Sequence, residues 1–127
     1  MPKTEIRTSL APSPIGSYSQ AVRHGDILYL AGQVGLDAAT SKLVSEDVAE
    51  QTRQTLRNLG HVIAAAGGSL NDLVTVRVFI SDQAEFARMN QAYGEFFEPP
   101  YPARTTVSAG LAPGLKVEID GIAMLGV

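Results

Sequence analysis

Hydrophobic and polar positions change period several times along this chain, and each change marks a predicted element. Residues 3–8 alternate weakly, as a short edge strand would whose charges discourage unwanted pairing. After the proline-punctuated stretch Ala11-Pro12-Ser13-Pro14-Ile15-Gly16, residues 17–22 read as a second strand and His24-Gly25-Asp26 as a tight turn. Residues 27–34, Ile-Leu-Tyr-Leu-Ala-Gly-Gln-Val, are apolar on both faces, so this third strand is expected to be central and covered twice. Gly32 within it leaves room for a bulge or for close approach of another group to the backbone. A polar loop over residues 37–44 leads to the first helix.

There the period lengthens to that of a helix. Val48, Thr52, Leu56, Leu59, Ile63 and Ala66 make one apolar stripe, with Glu50, Arg53, Arg57 and His61 elsewhere. Asp47 and Glu50 are spaced like an N-cap and its return partner, and Gly67-Gly68 ends the run. Alternation returns over residues 73–81. Val74, Val76, Val78 and Ile80 should face the helices, while Leu73, Thr75, Arg77 and Phe79 form a mixed face that suits either subunit contact or a partly wetted sheet. Asp82 with Glu85 opens a second helix whose stripe is Phe86, Met89, Tyr93 and Phe96 or Phe97, and Pro99-Pro100 stops it. Two runs rich in β-branched residues follow, 102–107 and 116–120, joined by a turn bearing glycines and a proline and read as neighbouring strands. The order β, β, β, α, β, α, β, β, with both helices on one side of a mixed sheet, is α+β.

The totals narrow the function classes. A single domain over residues 1–127 is expected, long enough to bury roughly two thirds of its unfolded surface. Apolar residues at 45% and charged residues at 18% describe a globular chain short of charge for a solvated monomer, which points toward oligomerisation. Ten Lys and Arg against thirteen Asp and Glu give a net charge of -3 without any extended basic run, which disfavours nucleic acid as a partner. With no cysteine there is no disulfide framework, thiolate nucleophile or cysteine metal site, and the scattered His24 and His61 make no metal constellation. Residues 1–9 hold no apolar signal core and no run reaches bilayer length, so a cytoplasmic protein without a membrane partner is expected.

The candidate chemistry sits on the last two strands. Arg104 follows Pro102-Ala103, a restricted lead-in, and its guanidinium offers two parallel donors to one carboxylate. Glu118, between Val117 and Ile119, is a carboxylate in an apolar setting that could hold and activate a water. Neighbouring strands would bring the two together on one sheet face, where a small carboxylate-bearing substrate could use both. A structural salt bridge is the commoner use of such a pair.

Ile15-Gly16-Ser17-Tyr18-Ser19-Gln20-Ala21-Val22, Tyr29-Leu30-Ala31-Gly32-Gln33-Val34, Asn90-Gln91-Ala92-Tyr93, Pro102-Ala103-Arg104-Thr105 and Val117-Glu118-Ile119 occur in one register, and together they resemble the RidA (YjgF) family of imine and enamine deaminases. The likeness runs from Ala11 to Ala123. It implies a chorismate-mutase-like fold assembled as a homotrimer, with active sites in the clefts between subunits. It also implies hydrolysis of small 2-imino acids such as 2-iminopropanoate and 2-iminobutanoate to the 2-keto acid and ammonia, with no metal or organic cofactor. By the same resemblance Arg104 pairs with the substrate carboxylate and Glu118 helps position the hydrolytic water. Tyr18 lines the pocket, the backbone at Gly32 contacts substrate, Asn90 is a pocket neighbour, and Thr106 counts among the substrate-binding positions. By residue type alone Tyr18 reads as a packed strand tyrosine and Asn90 as a solvent-facing helix residue. Two departures stand out: Ser17 where many relatives carry proline, and Thr106 where cysteine or serine is common. The turn over residues 111–116 is also slightly short, which bears on the pocket wall and hence on substrate range. The alternative from another class is a noncatalytic binder of small carboxylates, or a translation-inhibitor or chaperone-type protein, on the same trimeric scaffold.

Overall fold

Eight elements follow one another in the predicted order in the computed structural model, which describes residues 2–126. They are β1 (Thr4–Ile6), β2 (Ala21–His24), β3 (Ile27–Val34), α1 (Val48–Ala65), β4 (Leu73–Ile80), α2 (Phe86–Gly94), β5 (Ala103–Ser108) and β6 (Val117–Met124). The six strands form one sheet in the order β1-β2-β3-β6-β4-β5, antiparallel except where β5 runs parallel to β4. This is the α+β class, with the helices packed over one face of a mixed sheet.

The first helix starts and stops for the reasons its sequence suggests. Asp47 is extended, and its carboxylate accepts from the Glu50 amide, satisfying one of the donors a helix start leaves open. The return half of the box does not form, because the Glu50 side chain bonds Arg53 instead. Val48, Thr52, Leu56, Leu59 and Ile63 are buried along one stripe, and His61 is exposed. At the other end the amides of Ala66 and Gly68 both donate to the Ile63 carbonyl, with Gly67 at φ 90° turning the chain out of the helix. Against this stripe lie Leu28 and Leu30 of β3, Val76, Val78 and Ile80 of β4, Val117 and Ile119 of β6, and Met89 and Tyr93 of α2.

Several expectations are corrected. Residues 17–20 are not strand; β2 begins at Ala21, because Gln20 is buried and its amide is committed to the loop, donating to the carbonyls of Thr8, Ala11 and Pro12. β3 is covered on one face only, and Tyr29 on the other is 48% exposed. A register shift in β4 between Leu73 and Thr75 buries Leu73 and leaves Val74 exposed, reversing the predicted sides at that end. The second helix ends at Gly94, before the prolines, and Phe86 at its start is part-exposed. The correction with most consequence concerns β5 and β6: they are not neighbours, because β4 lies between them.

Candidate active site

Strand register decides where the two charges go. Arg104 stands opposite Val76 on β4, and Val76 is fully buried beneath the helices. Cross-strand partners share a sheet face, so Arg104 is on the helix side, at the sheet edge. Glu118 stands opposite Phe79, next in the alternation to buried Val78, and so lies on the open side. The predicted meeting of Arg104 and Glu118 on one face within a chain does not occur.

Arg104 is instead built into an aromatic corner. Its guanidinium carbon lies 4.7 Å from the centre of the Tyr93 ring and 5.7 Å from that of Phe86, so two rings of α2 hold the cation by cation–π contact. Among the described residues no carboxylate pairs with it. A cleft of about 360 Å³ opens there, lined by Asn90, Tyr93, Gly94, Tyr101, Pro102 and Arg104. Asn90 is thus brought beside Arg104 as the resemblance implies, and Thr106, opposite Val78, shares its sheet face without lining this cleft. Burial pushes the Tyr93 phenol up, against the pull of the neighbouring Arg104 cation, and among the described residues its hydroxyl has no hydrogen-bond partner.

Glu118 belongs to a larger cleft of about 620 Å³ with Tyr18, Gln20, Gly32 and Gln33 among its lining residues. Burial, with the like charge of Asp120 two residues on, pushes the Glu118 carboxyl above its ordinary value. Asp120 is itself held by Arg77, with two hydrogen bonds of 3.0 and 2.7 Å. Gly32 lies where the β3–β6 register slips between Leu30 and Gln33, so the predicted bulge is present. It also makes room for the catalytic candidate: a Cβ at Gly32 would overlap the Glu118 carboxylate, with its Cδ at 2.9 Å. Tyr18 is half-exposed at the rim, on a loop that its own amide closes by donating to the Gly16 carbonyl at 2.9 Å.

One chain therefore carries two separate candidate clefts. The cation clamp of Arg104 and Asn90 is on the helix side, and the carboxyl group with Gly32 and Tyr18 is on the open side. Tyr93 and Tyr101 are the lining residues that residue patterns miss. Tyr93 falls in the apolar stripe of α2 and is indistinguishable from core until Arg104 is placed on its ring. Among the described residues no group of three His, Asp or Glu side chains is placed to hold a metal ion.

A family model described as endoribonuclease L-PSP matches residues 8–125. A RutC family protein of Pyrococcus horikoshii is 43% identical over 122 residues, spanning 95% of this chain and 97% of its own length. A 2-iminobutanoate/2-iminopropanoate deaminase of Dermatophagoides farinae is 40% identical over 125 residues, spanning 98% of each chain. Among solved structures, RidA from an Antarctic Psychrobacter superposes with a TM-score of 0.92 at 39% identity, covering 96% of this chain and 99% of that one. E. coli TdcF with bound serine does so with a TM-score of 0.91 at 35% identity, covering 97% and 99%. By fold, by nearly full-length identity and by the family model, the chain belongs to the RidA (YjgF) family.

Proposed function

We propose that the protein is a hydrolytic deaminase of small 2-imino acids, working as a homotrimer in which the Arg104 cleft of one subunit faces the Glu118 cleft of the next. The observation that carries this reading is the division of the site: a carboxylate-binding cation without a carboxylate, and a carboxyl of raised proton affinity without a cation, on opposite faces of one sheet. The uncovered sheet face supports the assembly, since Tyr29, Val107 and Met124 are 48%, 41% and 44% exposed there.

The chemistry follows from the two groups. Arg104 holds the substrate carboxylate by paired hydrogen bonds, itself held against the Tyr93 and Phe86 rings, with Asn90 beside it. Glu118 takes a proton from water as the water oxygen bonds to the imine carbon, and the C=N electron pair moves to nitrogen. The carboxyl hands that proton to the nitrogen, giving the carbinolamine; it then takes the carbinolamine hydroxyl proton as the C=O forms and passes it to the nitrogen, so the C–N bond breaks and the 2-keto acid and ammonia leave. A positioned acid–base of this kind is worth about 10² to 10⁴ in rate. A ribonuclease reading lacks comparable support, since acidic residues outnumber basic ones by thirteen to ten.

Mixing tests both the chemistry and its division. Ammonia release from 2-iminobutanoate, made in place by a threonine dehydratase, is expected to exceed the spontaneous rate with the parent and to fall to background with Arg104→Ala or Glu118→Gln. Co-assembled from equal parts of the two variants, about a quarter of the sites should regain both groups and a matching share of activity. Background activity in the mixed trimers would refute the shared site, and background activity in the parent would refute the deaminase.

A further inference from the structure

Around the Glu118 cleft, three buried amide side chains each tether a stretch of backbone that walls it. Gln20 is 3% exposed and holds the carbonyls of Thr8, Ala11 and Pro12. Asn58 on α1 is fully buried and donates to the carbonyls of Val34 and Leu36. Gln51, also on α1 and fully buried, donates to the carbonyls of Ser45 (2.9 Å) and Gly114 (3.0 Å) and accepts from the Lys116 amide (2.8 Å). Both N–H groups and the carbonyl of Gln51 are thus spent on backbone, and two of its three bonds go to one loop.

We propose that Gln51 is a positioning residue for the Glu118 cleft, fixing the wall over residues 112–116 and so setting which substrate side chains fit. This rests on the reading of that cleft as the place where the imino acid is held. Gln51 does not line the cleft, so whatever it does to substrate passes through the wall, where Ala112, Pro113 and Leu115 present apolar surface. The wall lies outside helix and strand and lacks a ladder of its own. Its far end, Lys116, is gripped from two sides, by Gln51 at the amide and by the Ser81 amide, which donates to its carbonyl at 3.1 Å. Glu118 follows two residues later within β6, where its pairing with Val34 and Phe79 keeps it in register when the wall moves. The reach across to this loop depends on a close approach at Gly35, where a Cβ would meet the Gln51 Cα at 2.8 Å. Without the amide, the Gly114 carbonyl and the Lys116 N–H are left unpaired, and the wall is drawn outward to find water.

Gln51→Met keeps the length and burial of the side chain and removes its bonds. Thr52→Val is the matched control: it removes a buried hydroxyl from the same helix that bonds only the Val48 carbonyl one turn back. The readouts are kcat and KM for 2-imino acids with methyl, ethyl and isobutyl side chains, made in place by an amino-acid oxidase, together with NMR hydrogen exchange at the Lys116 amide. In Gln51→Met, KM should rise about five- to twentyfold with kcat held within about threefold, and the isobutyl-to-methyl preference should change about fivefold. Lys116 should exchange about tenfold faster. Thr52→Val should lower Tm and move none of these. Gln51→Glu keeps the acceptor for Lys116 but loses the donor to Gly114. It should raise KM with Lys116 exchange near the parent rate, and it carries the test if the methionine variant does not fold. A parental KM and parental exchange in the Gln51 variants, or equal changes in Thr52→Val, would overturn the proposal. Should the parent accelerate no imine, the deaminase reading falls and exchange alone decides: faster Lys116 exchange in Gln51→Met but not in Thr52→Val upholds the clamp, and equal rates overturn it.

Discussion

A single methyl group at Gly32 separates stability from activity. The atoms a Cβ would meet there belong to the far end of Glu118, a flexible side chain that can swing aside. Gly32→Ala is therefore expected to change stability by less than about 1 kcal/mol. It should lower kcat about 10²-fold, because the water-directing carboxylate leaves its place. Thermal unfolding and imine turnover measured on the same preparation check this, and an unchanged kcat would show that Glu118 has no fixed post at Gly32. Gly121 is the contrasting case: a Cβ there would meet the Thr75 carbonyl at 2.7 Å, and backbone cannot swing away. A glycine inside a strand is visible in the sequence as a place of bulge or close approach. Which atom makes the approach is not, since Glu118 reaches Gly32 only through the pairing of β3 with β6.

Elements with a clean period were readable, and their neighbours were not. α1 and the order of all eight elements follow from helical stripes and alternation, because burial on one face imposes the period directly, whereas β3 is legible as a strand from an apolar run that does not tell which face is covered. The stretch before Ala21 also alternates, yet the Gln20 amide binds three carbonyls and bends it into loop, a side-chain effect that no periodicity records. The turn between β5 and β6 suits a link between adjacent strands, but glycine and proline serve a crossover equally well, and β4 takes the middle place. That placement puts Arg77 of β4 opposite Asp120 of β6 and makes a tuning pair beside Glu118. Burial and Asp120 hold the folded-state value of Glu118 above the ordinary 4.5. Its contribution to stability is therefore full below 4.5 and is lost as pH rises through the raised folded value. Turnover that needs the ionised carboxylate should rise over the same window. Asp120→Asn should move the acid limb of kcat/KM to lower pH, and Arg77→Gln, which leaves Asp120 unneutralised, should move it higher. Limbs that coincide in parent and variants would remove the pair from the chemistry.

At the scale of the whole molecule, the open sheet face is where a neighbouring copy is proposed to sit. Tyr29 lies on it, opposite Ile122 of β6, and an aspartate there would put a charge into an apolar contact. Tyr29→Asp is expected to keep its far-UV circular dichroism, to show the mass of one chain by light scattering where the parent shows three, and to lose turnover to background. An assembled and active Tyr29→Asp protein would count against this face as the contact. Low charge points toward association, and the uncovered face of β3 and β4 is the surface proposed for it, which composition could not supply.

The strand that is last in sequence lies in the middle of the sheet, with β3 on one side and β4 on the other. A chain emerging from the ribosome thus holds two incomplete ribbons, β1 to β3 on one and β4 with β5 on the other, until residues 117–124 are released to bridge them. Each ribbon meanwhile offers a bare inner edge to other nascent chains. Completion of the fold therefore waits for β6 to insert between the two ribbons and cover both inner edges at once.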